Sequence, residues 1–483
     1  VGTLAATTLL LGPFAVRGVP EEGPRPALAR DLDRICERPA LSSAFVGVEV
    51  RSLPTGRVLY ARNADKGFRP ASALKLLTTA AALDLLGPAA RLRTTVEAAG
   101  RVDSRGRLLG DLYLVGAGDP GLGGGRYGDG APLRELEALA RALRAAGIRR
   151  VEGGLVGHEG LFGGERRGED WGWADLVWSY GAEVSALSFN DNAVGLTLLP
   201  GEAAGEPGVL EMRPASSYYR VVKTAVTSAA GTKADLRLTR DEGAPVIRLS
   251  GSLPADAPPW EGWVALQDPA RYAATVFSEV LRREAIDVTG DVVTMQAPRP
   301  AGLRELAACQ SAPMADLVKG VNKESRNLHA EALLRLLGVK AKGEGTVEAG
   351  RAELLAFLAR LDVPVASFGL QDGSGLSRSN VVTPAGLVAL LVAMDRHPQA
   401  MAFRESLPIA GVDGTLKDRM KGTAAEGRVR AKTGTIALVS TLAGYVETPG
   451  GERRAFAALV NQHLSTREAV SALDALAARL AQD

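Results

Sequence analysis

The sequence predicts an α/β protein of the α+β kind: an antiparallel sheet flanked by helices, interrupted by a large insertion that forms one or two small, mainly β domains. Three observations predict it. Strand-like runs at Phe45 to Val50 and Val58 to Tyr60 are separated by most of the chain from three more, Arg428 to Lys432, Leu438 to Val446 and Arg454 to Leu459. Helical spacing dominates from Asp268 to Arg396, and between residues 89 and 265 the texture is one of short strands and glycine-rich turns. The chain therefore divides into a signal-like segment and linker at 1–24, a discontinuous domain at 25–88 and 266–483, and inserted domain or domains at 89–265.

Taken in order, Val1 to Val16 carry no charge and include Leu9-Leu10-Leu11, which fits the apolar region of a secretory signal; the rival reading is an apolar strand or helix of the fold. Gly18 to Pro26 reads as a linker. Leu28, Leu32 and Ile35 stand at helical spacing after Pro26. Pro54-Thr55-Gly56 turns the first hairpin, and a helix is predicted from Ser72 to Leu86, stopped by Gly87-Pro88. All five tryptophans, Trp171, Trp173, Trp178, Trp260 and Trp263, fall in the insertion and are expected in its core. Asp268-Pro269 opens a helix to about Ala285, and helical patterns recur at 313–323, 328–337, 346–361 and 383–396. The last helix, Thr466 to Leu480, begins at the capping signal Ser465-x-x-Glu468; Arg467, Glu468, Asp474 and Arg479 mark its outer face, so it is expected to pack on the sheet rather than lie on a membrane.

Composition excludes several classes. With 46% hydrophobic and 23% charged residues the chain is an ordinary folded protein, and no stretch approaches the roughly 18–20 apolar residues of a membrane helix. A net charge of +2 gives no basic surplus for nucleic acid. The four histidines are scattered and no H-E-x-x-H pattern occurs, so no metal or other cofactor is expected. Cys36 and Cys309 leave room for one bridge in an exported protein. No serine sits in a G-x-S-x-G elbow.

The chemistry lies in three short segments. Ser72-Ala73-Leu74-Lys75 puts a hydroxyl and an amine three residues apart at a helix start, on one face, where the free N–H groups can stabilise a developing oxyanion. Lys432-Thr433-Gly434-Thr435 on a strand offers an ammonium and hydroxyls to a carboxylate, with Gly434 removing a side chain that would block close approach. Ser325-Arg326-Asn327 lies between two helical stretches and supplies a hydroxyl and an amide. Ser188-Phe189-Asn190 is a rival S-x-N, set aside because it falls in the insertion. Gly116-x-Gly118-x-x-Gly121 mimics a dinucleotide loop, but Pro120 and Gly123-Gly124-Gly125 deny it the helix that would receive a pyrophosphate.

S-x-x-K, S-x-N and K-T-G in this order resemble the set of the penicillin-binding proteins and serine β-lactamases. More specifically the chain resembles the D-alanyl-D-alanine carboxypeptidase/endopeptidase family, the class C low-molecular-mass penicillin-binding proteins of the penicillin-binding protein 4 type. Leu114 to Pro120, Val184 to Asn192, Asp372-Gly-Ser-Gly-Leu-Ser-Arg378 and Ala410 to Leu416 carry the likeness further. The first interval, Ser72 to Ser325, is much longer than in a class A β-lactamase, and there is no E-x-x-L-N segment for a deacylating glutamate. Arg326 departs from the family's usual Asp at the centre of the triplet.

The resemblance implies the penicillin-binding, transpeptidase-like fold and a serine DD-peptidase acting on the D-Ala-D-Ala bond of peptidoglycan stem peptides. D-Ala-meso-diaminopimelate cross-links form a second substrate class. Ser72 is the nucleophile and Lys75 its base; Ser325 relays a proton; Asn327 holds the substrate amide and Lys75; Lys432 and Thr433 bind the terminal carboxylate. Gly434, Thr435 and Ser374 line the substrate, and Arg378 either meets an anionic end of the stem peptide or forms an ordinary salt bridge. An unperturbed lysine would need ~4–5 kcal/mol to be neutral at pH 7. Burial and the charge of Lys432 are expected to lower that cost. β-Lactams are expected to acylate Ser72, and the family works outside the cytoplasm, in the periplasm or cell-wall space. Peripheral membrane association and oligomeric state stay open, as do two rival functions, a silent peptidoglycan-binding scaffold and a serine β-lactamase or esterase.

Overall fold

The structure, a computed structural model, describes residues 26–482. The signal-like stretch Val1–Val16 lies outside the described residues. Five strands form a wholly antiparallel sheet in the order Val58–Arg62, Phe45–Ser52, Arg453–Asn461, Val439–Glu447, Val429–Ile436. The central Arg453–Asn461 strand shows how alternation builds both faces. Phe456, Ala458 and Val460 pack with Leu32 of the Ala27–Cys36 helix and with Leu473 and Leu476 of the Thr466–Leu480 helix, while Ala455, Ala457 and Leu459 join a larger helical core. Ser465 accepts from the Glu468 N–H at the start of that last helix, which covers the sheet as expected.

The larger core is built by the helices Lys75–Leu85, Met314–Glu324, Asn327–Lys342, Val347–Arg360 and Pro384–Asp395. Leu76, Leu77, Val318, Val321, Leu333 and Leu337 are buried there. Close packing is allowed by small residues in the sheet: a Cβ on Gly47 would lie 2.4 Å from the Phe68 ring.

The chain leaves this body after Leu85 and returns later than residue 266. The Pro269–Arg283 helix packs in a second core with Leu112, Leu155 and Ile286, and strands Val292–Met295 and Arg304–Gln310 are the two edges of a five-stranded mixed sheet whose inner strands are Leu155–His158, Leu112–Val115 and Arg93–Ala98. The inserted body thus runs to about Gln310, which moves the boundary read from the sequence. Periodicity marks the Pro269–Arg283 helix but not what it packs against. A second correction is the Arg134–Ala145 helix, whose buried Leu136, Leu139, Ala140 and Leu143 have helical spacing that the glycine-rich surroundings mask. The first part of the insertion is therefore a five-stranded sheet and a small four-stranded sheet packed with two helices. Beyond it, a three-stranded sheet and a four-stranded sheet around Val246–Pro254 form an all-β part with its own small core of Leu198, Ala225, Leu249 and Leu253.

Two further expectations change. Cys36 and Cys309 are free thiols, one at the end of the first helix and the other on a strand of the inserted body, so the bridge is not formed. Of the tryptophans only Trp171 is buried, and it joins the helical core of the first body rather than the core of the insertion; Trp173 is 74% exposed. The Gly116–Gly121 stretch is a loop followed by a short turn at Gly125–Tyr127, with no helix to receive a phosphate.

Candidate active site

Ser72 lies on a 3-10 turn, Ala71–Leu74, and Lys75 begins the α-helix that follows. The sequence predicts one continuous helix from Ser72, and the tighter turn has a consequence. With about three residues per turn, side chains at i and i+3 eclipse, which sets the Lys75 amine 2.8 Å from the Ser72 hydroxyl. Ala71 holds φ of +46°, and Gly375 packs so closely on its carbonyl that a Cβ there would come within 1.9 Å of that oxygen. The Asp372–Arg378 loop therefore presses directly on the turn that carries Ser72.

Lys75 is fully buried and its Nζ has three neighbours: Ser72 Oγ at 2.8 Å, Asn327 Oδ1 at 2.7 Å and the Ser374 carbonyl at 2.7 Å. Burial pushes the amine down to about 7, against the opposing pull of Asp372 and Glu331. The charge of Lys432, expected to help lower it, acts visibly in the other direction of the pair. Lys432, also fully buried, is driven well below its ordinary value by desolvation and by Lys75.

The K-T-G segment is on Val429–Ile436, an edge strand of the sheet. Lys432 Nζ lies 3.0 Å from Ser325 Oγ and 2.9 Å from the Thr433 carbonyl, and Thr433 Oγ1 donates to Thr415 Oγ1 at 2.7 Å. Thr435 is exposed. Gly434 does permit a close approach, but by the protein itself: a Cβ there would lie 2.7 Å from the Pro70 carbonyl and 2.9 Å from the Ser72 nitrogen. Ser325 ends the Met314–Glu324 helix in a left-handed conformation, φ +60°, and Asn327 opens the next helix. The three segments thus meet around two lysines, each holding one serine hydroxyl.

Residues 28–482 match the family model described as D-Ala-D-Ala carboxypeptidase 3 (S13). The chain belongs to the S13 family. It is 39% identical over 467 residues to the D-alanyl-D-alanine carboxypeptidase of Actinomadura sp. (strain R39), covering 94% of this chain and 84% of that one. With the carboxypeptidase DacB of Haemophilus influenzae it shares 27% identity over 422 residues, 86% of this chain and 85% of the other. The crystal structure of penicillin-binding protein 4 from the same organism superposes with a TM-score of 0.81 at 25% identity, covering 93% of this chain and 98% of that one. The fold is therefore the penicillin-binding protein 4 type, and the enzyme class is that of the serine D-Ala-D-Ala carboxypeptidases.

Within this S13 site, some residues take places other than the sequence suggests. Ser374 is fully buried; its carbonyl accepts from Lys75 and its hydroxyl accepts from the Leu376 N–H. Asn327 holds Lys75 through Oδ1, but its Nδ2 donates to the Tyr180 carbonyl of the insertion at 2.8 Å. Arg378 is paired with Asp175 at 3.3 Å, and Asp175 also accepts from the Tyr180 hydroxyl, so this half-exposed cation sits at the rim beside the insertion. Arg326 points away from the lysines, with its guanidinium 4.8 Å from the centre of the Tyr127 ring and 2.6 Å from Glu324.

Sequence reasoning missed four contributors. Asp372 is buried and accepts from Gly375 N, Ser377 N, Asn380 Nδ2 and Trp171 Nε1, which fixes the loop carrying Ser374. Glu331 is one helical turn beyond Asn327, a spacing that puts both on one face and could have revealed it. Tyr180 acts through its carbonyl and left no sequence signal. Thr415, inside the Ala410–Leu416 stretch, lines a cavity of about 710 Å³ together with Tyr127, Lys323, Arg326 and Asp413, next to the K-T-G segment. Among the described residues no cluster of three or more His, Cys, Asp or Glu could hold a metal.

Proposed function

We propose that this serine DD-peptidase cuts the D-Ala-D-Ala bond ending peptidoglycan stem peptides through an acyl-enzyme on Ser72. One observation carries the residue roles, the donor count at Lys75. An ammonium has three hydrogens for its three neighbours. A neutral amine has two, and of those neighbours only the Ser72 hydroxyl has a hydrogen to give, since the other two are carbonyl oxygens. Losing one proton therefore turns Lys75 into an acceptor aimed at the nucleophile's hydrogen, which is the arrangement a general base needs.

The substrate's terminal carboxylate binds Lys432 and Thr433. Its charge favours the ammonium form of Lys432, and that ammonium in turn disfavours a second charge on Lys75. Ser72 attacks the carbonyl, Lys75 takes the proton, and the oxyanion is received by the N–H groups of Ser72 and Thr435. Ser325, hydrogen-bonded to Lys432, passes a proton to the leaving amine as D-alanine departs. Water then hydrolyses the ester. Arg378 and Asp175 together offer both charges to the far end of the stem peptide. The cavity beside Thr415 leaves room for a leaving group larger than D-alanine, which supports D-Ala-meso-diaminopimelate cross-links as a second substrate.

β-Lactams acylate the same hydroxyl, and the adduct is long-lived because the sequence carries no E-x-x-L-N segment of the kind that supplies a deacylating glutamate. The chain acts outside the cytoplasm, where peptidoglycan is. Among the described residues no helix is long and apolar enough to cross a membrane. The test is a fluorescent penicillin together with a D-Ala-D-Ala peptide. The wild type is labelled and releases D-alanine, and Ser72→Ala does neither. An unlabelled wild type, or label retained in Ser72→Ala, would overturn the assignment.

A further inference from the structure

Glu331 lies on the Asn327–Lys342 helix and is 1% exposed. A buried carboxylate is costly unless it is well partnered. Its Oε1 accepts from two consecutive backbone N–H groups, Gly373 at 3.0 Å and Ser374 at 2.9 Å, and its Oε2 lies 3.8 Å from the Arg335 guanidinium. The carbonyl of that same Ser374 is one of the three neighbours of the Lys75 amine. A single carboxylate thus holds the two N–H groups immediately before the carbonyl that meets the Lys75 amine, while the N–H just after that carbonyl, Gly375, is held by Asp372.

We propose that Glu331 is a positioning residue for acylation: it holds the Gly373–Ser374 backbone so that the Ser374 carbonyl points at Lys75, and its negative charge tunes how readily Lys75 gives up its proton. This rests on the reading of Lys75 as the base. The charged groups around the pair are few. Lys75 is faced by Asp372, Glu331 and, from the edge strand, Lys432. Glu331 is faced by Asp372 from the loop and Arg335 from its own helix, and Arg335 feels Glu348 from the Val347–Arg360 helix. Burial and Asp372 push the Glu331 carboxyl up to about 7, so its charge changes in the same range as the amine it influences.

Glu331→Gln separates the two effects, because glutamine keeps the acceptor oxygen and the volume but not the charge. With a negative neighbour removed, Lys75 binds its proton less tightly, so the acid limb of the acylation rate, measured with a fluorescent penicillin from pH 5 to 9, moves down by about half to one pH unit. Glu331→Ala removes the grip as well, and the rate at the optimum falls about 10–100-fold while KM for a D-Ala-D-Ala peptide stays within about twofold. A Glu331→Gln limb that coincides with wild type or moves to higher pH overturns the proposal, as does wild-type acylation by Glu331→Ala. Should the alanine variant fail to fold, the glutamine limb decides alone. A wild type that takes no label would instead overturn the function itself.

Discussion

Two S-x-N triplets in one chain meet opposite fates. In Ser188-Phe189-Asn190 the shortest hydrogen bonds are local: Ser188 Oγ donates to the Ser185 carbonyl at 2.9 Å, and Asn190 Nδ2 donates to the Ala193 carbonyl at 2.7 Å, with a longer contact to the Arg213 carbonyl at 3.4 Å, and none of these partners is a lysine of the site. Both residues are buried, and Asn190 sits at φ +54° in a tight corner of the insertion. In Ser325-Arg326-Asn327 the side chains reach residues far away in sequence, Ser325 to Lys432 and Asn327 to Lys75. A polar motif becomes chemical when its neighbours in sequence cannot satisfy it.

The sharpest way to break this comparison is to delete both hydroxyls. Ser325→Ala should slow acylation by a fluorescent penicillin about 10²–10⁴-fold, the usual worth of a positioned proton-transfer group, while Ser188→Ala leaves the rate within about twofold. Comparable losses in both would mean that the insertion triplet reaches the chemistry. The next largest effect is in pH, since only the Ser325 triplet ends on a titrating amine. Lys75 must be neutral to act, and burial brings it down to about 7. Below that value the amine is increasingly protonated, so the rate should fall by a factor approaching tenfold per pH unit, roughly fiftyfold from pH 7 to pH 5. A flat profile over that range would remove Lys75 as the base. The smallest effect belongs to the other triplet. Asn190→Ala should cost about 1–2 kcal/mol of stability, lowering Tm by about 2–8 °C in a thermal melt, with the acylation rate of the folded variant unchanged.

The same contrast explains how far the sequence could be read. Strands and helices with clear periodicity, such as Arg453–Asn461 and Thr466–Leu480, fall within a residue or two of their predicted places. The Ser72–Lys75, Ser325–Asn327 and Lys432–Gly434 segments were legible because their residue types are chemically unusual together. What was not legible is partnership. Nothing in the Pro269–Arg283 pattern says that it packs on the insertion, and nothing near Ser374 says that its carbonyl is the atom that meets Lys75. Glu331 stood at helical spacing from Asn327, but its meaning depends on a loop some forty positions away that its own oxygen holds in place.

The Arg453–Asn461 strand sits between Phe45–Ser52 and the hairpin partner of the K-T-G strand, so segments made far apart in time are neighbours in the finished sheet. A ribosome adding roughly 5–20 residues per second needs tens of seconds to bridge that gap. Throughout that time Ser72 has been made but has no Lys432 to work with. On the proposed roles, the hydrolase stays silent by construction until the strands from Val429 to Asn461 exist, and a chain cut short before them carries Ser72 without its pocket.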